Sequence, residues 1–128
     1  MEKYTIKELE EVFQGLKEIK DNKRLSAKIS YAVGKNLKDI KEIIDMANNT
    51  KKKMWEDTVT PTISMKANGK EEPKKEAVDQ WKVDVEELIQ EEEELSLKMI
   101  DVSGVTDEME IPAIFYTLCD KIITGEPK

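Results

Sequence analysis

The side chains best suited to chemistry are the carboxylates of residues 86–94, where six glutamates occupy nine positions. On a helix, Glu87 and Glu91, or Glu86 and Glu93, would share a face and could hold a metal ion or work as an acid–base pair. The competing reading is a solvated helix face opposite Leu88 and Leu95, and composition favours it. The chain has no histidine. That removes the Ser-His and Cys-His nucleophile pairs, the common zinc sites, the Glu-x-x-His pairs of di-iron bundles and the easiest proton shuttle near neutrality. No catalytic residue, metal site or cofactor site follows, and we expect a protein that is not an enzyme.

Lys51-Lys-Lys53 beside Trp55 could follow a phosphate backbone while the indole stacks on a base. A basic last helical turn complementing the helix dipole explains the same residues more simply. The single arginine, Arg24, leaves little capacity for bidentate phosphate or guanine recognition. Cys119 lies between Leu118 and Ile122 with only Lys121 as a nearby cation, so it reads as a buried structural thiol. Gly15, Gly34 and Gly69 are scattered and form no phosphate-cradling loop. Trp81 keeps helical spacing with Val78, Val85 and Leu88 and reads as core. Trp55 sits where a helix should end, and with Glu87, Glu91 and Glu94 it is a candidate partner-binding residue.

A length of 128 residues with 38% apolar content suits one domain over 1–128. The net charge of -7 opposes binding to nucleic acid or to an anionic membrane surface. No apolar run reaches the roughly 20 residues of a membrane span, and residues 1–4 lead into a charged amphipathic pattern rather than a signal sequence. A cytoplasmic location is expected, and the lone cysteine is compatible with it.

The elements that must position these groups are mainly helical. Thr5-x-x-Glu8 is a capping box, followed by a stripe of Ile6, Leu9, Val12, Phe13, Leu16 and Ile19. Ser26 caps a second, longer helix carrying Ile29, Val33, Leu37, Ile40, Ile44, Ala47 and Met54. Gly34 inside it predicts close packing of a neighbour against the backbone. Residues 58–73 break the pattern: Pro61 forbids a continuous helix, Asn68-Gly69 signals a turn, and a short strand or a mobile loop fits equally well. A third helix is predicted from Lys74 to Leu95, a strand near 96–102, and a closing helix from Pro112 to Ile123 stopped by Gly125.

Residues 25–53 carry seven lysines and three acids, a balance of +4, whereas residues 74–100 carry four lysines and nine acids, a balance of -5. Two long helices of opposite sign predict an antiparallel helical hairpin with Ile40, Ile44, Val85 and Leu88 at its interface. Apolar burial would hold the pair and charge would choose its register.

Leu25-Ser-Ala-Lys-Ile-Ser-Tyr31, followed by Gly34-Lys-Asn36 and a long helix, resembles a group of small uncharacterised proteins encoded by tailed phages and prophages. They share a short first helix, a Lys-x-Ser-Tyr segment opening a long helix, a variable turn and an acidic return helix. The resemblance spans nearly the whole chain, with residues 58–73 as a departure, and it carries over no functional residue. It implies a phage or prophage origin and a non-catalytic role, through contact with a phage or host protein, in virion assembly or as a small accessory factor. A homo-oligomer fits that role, as does association with the virion. The alternative is an acidic decoy that inhibits a nucleic-acid-binding or defence protein of the host through residues 86–94.

Overall fold

The computed structural model describes residues 2–65 and 71–127, and the fold is mainly helical with a few short strands. Strand β1 (Glu2–Thr5) runs directly into helix α1 (Ile6–Lys17). Their junction is the capping box read from the sequence: the Glu8 N–H donates to Thr5 Oγ1 at 3.1 Å, and the Thr5 N–H donates to Glu8 Oε1 at 2.9 Å. Ile6, Leu9, Val12, Leu16 and Ile19 face the core, with Phe13 half-buried at its margin.

Helix α2 (Ala27–Thr58) begins where Ser26 Oγ accepts the Ile29 N–H at 3.2 Å, and it runs for 32 residues. Ile29, Val33, Ile40, Ile44 and Ala47 are buried along one stripe, as helical spacing requires. Gly34 departs from expectation. It is exposed, and a Cβ built on it meets nothing within 4 Å, so no neighbour packs against the backbone there. The close approach belongs to Gly15 of α1, where a Cβ would meet the segment containing Leu118 and Cys119.

Pro61 lies in a single 3₁₀ turn, Thr60–Thr62, and strands β2 (Ser64–Met65) and β3 (Glu71–Glu72) pair antiparallel beyond it. Of the 58–73 connection, Ser64–Met65 and Glu71–Glu72 form paired strands; the Asn68-Gly69 turn signal lies outside the described residues. Thr62 Oγ1 then accepts the Lys74 N–H at 3.2 Å, tying the connection to the start of helix α3 (Lys75–Ile89).

Helix α3 stops at Ile89, not Leu95. The Gln90 and Glu91 N–H groups close the last turn on the Glu87 and Leu88 carbonyls, and strand β4 (Glu92–Leu95) pairs antiparallel with β1. A helix through 86–94 would stack glutamates at i,i+3 and i,i+4, whereas the strand takes Glu92, Glu93 and Glu94 out of that stack and pairs them with the chain's first strand. The acidic run is thus divided among helix, turn and strand. Helix α3 also has no fully buried residue, and Trp81, Val85 and Leu88 are half-buried, so the core lies between α1, α2 and the C-terminal third.

That third contains β5 (Ile100–Asp101), a 3₁₀ turn at Asp107–Met109, helix α4 (Ala113–Leu118), a second 3₁₀ turn at Asp120–Ile122 and β6 (Ile123–Thr124), which pairs parallel with β5. The closing helix is shorter than predicted because Cys119 leaves helical geometry at φ -106°, ψ 16°. Gly125, at φ +76°, ends β6 rather than a helix. A side chain there would be strained and would crowd Asp101 Oδ1 at 2.8 Å. Among the described residues, no helix is long and apolar enough to cross a membrane.

Candidate functional site

A groove of about 760 Å³ opens between the first turns of α2 and the chain around β5. That volume lies within the ordinary range of ligand sites. Ile29, Tyr31 and Ala32 line it from α2, Met99, Ile100 and Asp101 from the chain around β5, and Met109 and Thr124 complete the lining. Tyr31 is 64% exposed and Met99 47%, so two large apolar groups stand in solvent within one groove. Tyr31 lies about 200° around the helix from Ile29, off the buried stripe, which is the sequence signal that marks it. Neither Tyr31 nor Met99 is among the partner-binding candidates expected from the sequence, Trp55, Glu87, Glu91 and Glu94.

Asn36 positions the strand side of the groove. It is 0% exposed, and its side-chain amide forms a two-way clip on the backbone of Lys98: Asn36 Nδ2 donates to the Lys98 carbonyl at 2.8 Å, and the Lys98 N–H donates to Asn36 Oδ1 at 2.7 Å. A buried amide satisfied at both ends fastens the chain just before β5 to α2. Beyond the clip, Lys98 Nζ stands 5.5 Å from the Tyr31 ring centroid, within cation–π range. Asp101 Oδ1, also in the lining, accepts the Ser103 N–H at 2.9 Å, and this hydrogen bond holds the carboxyl below its usual pKa.

The parallel pairing leaves one edge of β5 open. Val102 donates its N–H to the Thr124 carbonyl at 2.9 Å, and in a parallel ladder alternate residues face the partner strand. Ile100 and Val102 therefore address β6. Met99 and Asp101 turn their backbone N–H and C=O groups to the other side, where they meet no hydrogen-bonding partner among the described residues.

The residues singled out from the sequence do not converge on one site. Trp55, near the end of α2, packs edge-to-face on Trp81 with ring centroids 5.0 Å apart, and the Trp81 indole donates to the Lys51 carbonyl at 2.9 Å. Glu87 is on α3, Glu94 lies opposite Lys3 in the β1–β4 ladder, and Glu91 is in the turn between α3 and β4, its carbonyl accepting the Ile6 N–H at 3.0 Å. All three glutamates are exposed, but they share no helix face.

The lysine cluster is engaged within the fold. Lys51 Nζ lies 3.3 Å from Glu10, Lys52 4.0 Å from Glu56 and Lys53 3.7 Å from Asp57. It is not the last turn of its helix, since α2 continues to Thr58 and its last turn holds no basic residue. Arg24 donates to the Glu108 carbonyl and pairs with Glu110 at 2.7 Å, fastening the α1–α2 connection to the turn at 107–110.

Cys119 is buried, donates its thiol to the Val12 carbonyl at 3.4 Å, and has its pKa pushed up to about 12 by desolvation. A thiol held protonated in this way is a poor nucleophile at neutral pH. Among the described residues, no group of three or more metal-ligating side chains comes together. Protein-family models, curated proteins and solved structures yield no match to the chain.

Proposed function

We propose that this chain is a non-catalytic interaction protein of phage or prophage origin, acting by protein–protein contact in virion assembly or as a small accessory factor in the host cytoplasm. The observation that carries the reading is the exposure of Tyr31 and Met99 together in the α2–β5 groove. Paired exposed apolar groups over a buried floor are the raw material of a binding hot spot. Helices α2 and α3 act as an antiparallel hairpin that carries the groove at one end. The Trp55–Trp81 contact and the indole bond to Lys51 support that arrangement.

A second reading rests on the acidic run, whose residues Glu86, Glu87 and Glu91, Glu92, Glu93 and Glu94 are all exposed. On that reading the protein is a decoy for a basic host protein. One experiment separates the two. The tagged chain is recovered from infected cells as wild type, as Tyr31→Ala/Met99→Ala, and as Glu87→Gln/Glu91→Gln/Glu94→Gln. Loss of the co-purifying protein from the first variant alone, with circular dichroism unchanged, supports the groove. Loss from the glutamine variant alone supports the decoy, and retention by both sinks both surfaces.

A further inference from the structure

We propose that helix α3 is a lid on the outer half of α2, latched by Trp81, which opens as one unit while the core of the fold stays closed. At rest Trp81 packs on the ring of Trp55, and opening uncovers that ring. The device goes beyond the interaction reading and does not depend on the α2–β5 groove. Three observations support it.

The first is the division of apolar packing. The core cluster joins buried residues between Tyr4 and Ile44 to buried residues between Ile100 and Ile122, and the half-buried side chains packed against it begin again only at Leu95. Among the described residues, none from 45 to 94 belongs to that cluster. Helix α3 has no fully buried residue, and Val78, Trp81, Val85 and Leu88 along its apolar stripe are half-buried. Lifting α3 therefore leaves the contacts within the core cluster in place. A segment of that kind opens at a lower free energy than the whole chain.

The second is the helix itself. Helices α1 and α2 begin on side-chain caps from Thr5 and Ser26, whereas α3 begins on Lys74, whose side chain caps nothing. Lys74 and Lys75 put positive charge at the positive end of the helix dipole, with Glu76 as the offsetting acid. The last turn holds Glu86 and Glu87 and no basic residue, so the other end opposes the dipole outright. A 15-residue helix with such ends depends on tertiary contacts for its order.

The third is how few polar ties those contacts include. Among the described residues, the Trp81 indole N–H, donating to the Lys51 carbonyl at 2.9 Å, is the one side-chain hydrogen bond from α3 to another element, and no ion pair joins α3 to the rest. The same indole meets Trp55 edge-to-face at 5.0 Å. One residue thus makes both specific contacts that hold the helix down, as a latch would.

The test is native-state hydrogen exchange on the ¹⁵N-labelled full chain, read at the amides of Val78 to Ile89, at the Trp81 indole and at the amides of Val33 to Ile44. In the wild type the α3 amides and the indole should share one protection factor, at least about tenfold below that of Val33 to Ile44. Trp81→Phe keeps a ring against Trp55 and removes the indole donor. Exchange should quicken by about three- to tenfold in α3 and stay unchanged in Val33 to Ile44. Lys74→Asp/Glu86→Lys supplies a cap and reverses the charge at both ends, so α3 exchange should slow by about tenfold, again without effect on Val33 to Ile44.

Equal protection in the two segments, or a change of the same size in both on either substitution, would show that α3 opens only with the whole chain and would overturn the proposal. Amides in α3 that exchange independently of one another and of the Trp81 indole would also overturn it, because they would report fraying and not a lid. The wild-type comparison decides the matter if a variant fails to fold.

Discussion

Gly15 of α1 and Cys119 after α4 lie so close that a Cβ on Gly15 would stand 2.6 Å from the Cys119 sulfur and 3.0 Å from Leu118 Cβ. The glycine lets the last helical segment seat on α1, and the same contact excludes water from the thiol. Gly15→Ala should therefore destabilise by about 1–3 kcal/mol, although alanine is the better helix former. Cys119→Ala should recover part of that loss in the double variant, because the shortest contact is to sulfur. Gly34→Ala, at an exposed site with open space for the methyl, should stabilise by up to about 1 kcal/mol. Urea unfolding of the four variants decides between packing and propensity at each glycine.

Asn36 and Lys98 are the second pair on which the site depends. Asn36→Ala leaves the part-buried N–H and carbonyl of Lys98 without their protein partners and empties the space of a buried amide, an expected loss of about 1–3 kcal/mol. Asn36→Asp keeps the acceptor but sets a carboxylate against the Lys98 carbonyl, so it should be at least as damaging. Native-state hydrogen exchange at the Lys98 amide should be slow in the wild type and accelerated in both variants. Slow exchange in Asn36→Ala would show that the clip does not hold β5.

The alkaline limb of stability should contain a contribution from Cys119. Its pKa is raised from 9.0 to about 12 in the folded chain. Below pH 9 the thiol is protonated in both states and costs nothing. Between pH 9 and 12 the unfolded chain releases the proton while the folded chain retains it, so stability falls with rising pH by up to about 1.4 kcal/mol per pH unit. Tyr4 and Tyr116, whose pKa values are raised by burial, act in the same direction above their ordinary value of 10.0. Cys119→Ala should flatten the slope between pH 9 and 10, before the tyrosines contribute. An unchanged slope would mean that the thiol is hydrated in the fold.

Ile40 and Leu88 separate the core from its flank. Ile40 is fully buried, and Ile40→Ala should cost about 2–5 kcal/mol. Leu88 is half-buried on α3, so Leu88→Ala should cost about 1–2 kcal/mol, well below the value for a core leucine. Equal losses in denaturant unfolding would show that α3 is more deeply packed than its exposure indicates.

Glu87, Glu91 and Glu94 form no ion pair or side-chain hydrogen bond among the described residues, and converting all three to glutamine should leave the melting temperature within a few degrees of wild type. Any association steered by the acidic run should slow, most strongly at low salt. Association rates that are unchanged across salt concentrations would remove the decoy reading.

What the sequence by itself determined is the local architecture of the amino-terminal half. Thr5 with Glu8 and Ser26 with the Ile29 amide are instructions contained within one helical turn, and the 3.6-residue stripes that follow place Leu9, Leu16, Val33 and Ile40 inside. Cys119 is legible for a related reason, as a small thiol within an apolar run. The tertiary structure decided the rest. Residues 91–95 read locally as more helix, and their strand pairing depends on residues 2–5, some ninety positions away. Gly15 rather than Gly34 became the close contact because closeness depends on the segment opposite, which helical periodicity does not identify. The groove was hidden for the same reason: Tyr31 lay off the buried stripe and Asn36 in an ordinary polar position, and only the fold brought Lys98 and Met99 beside them.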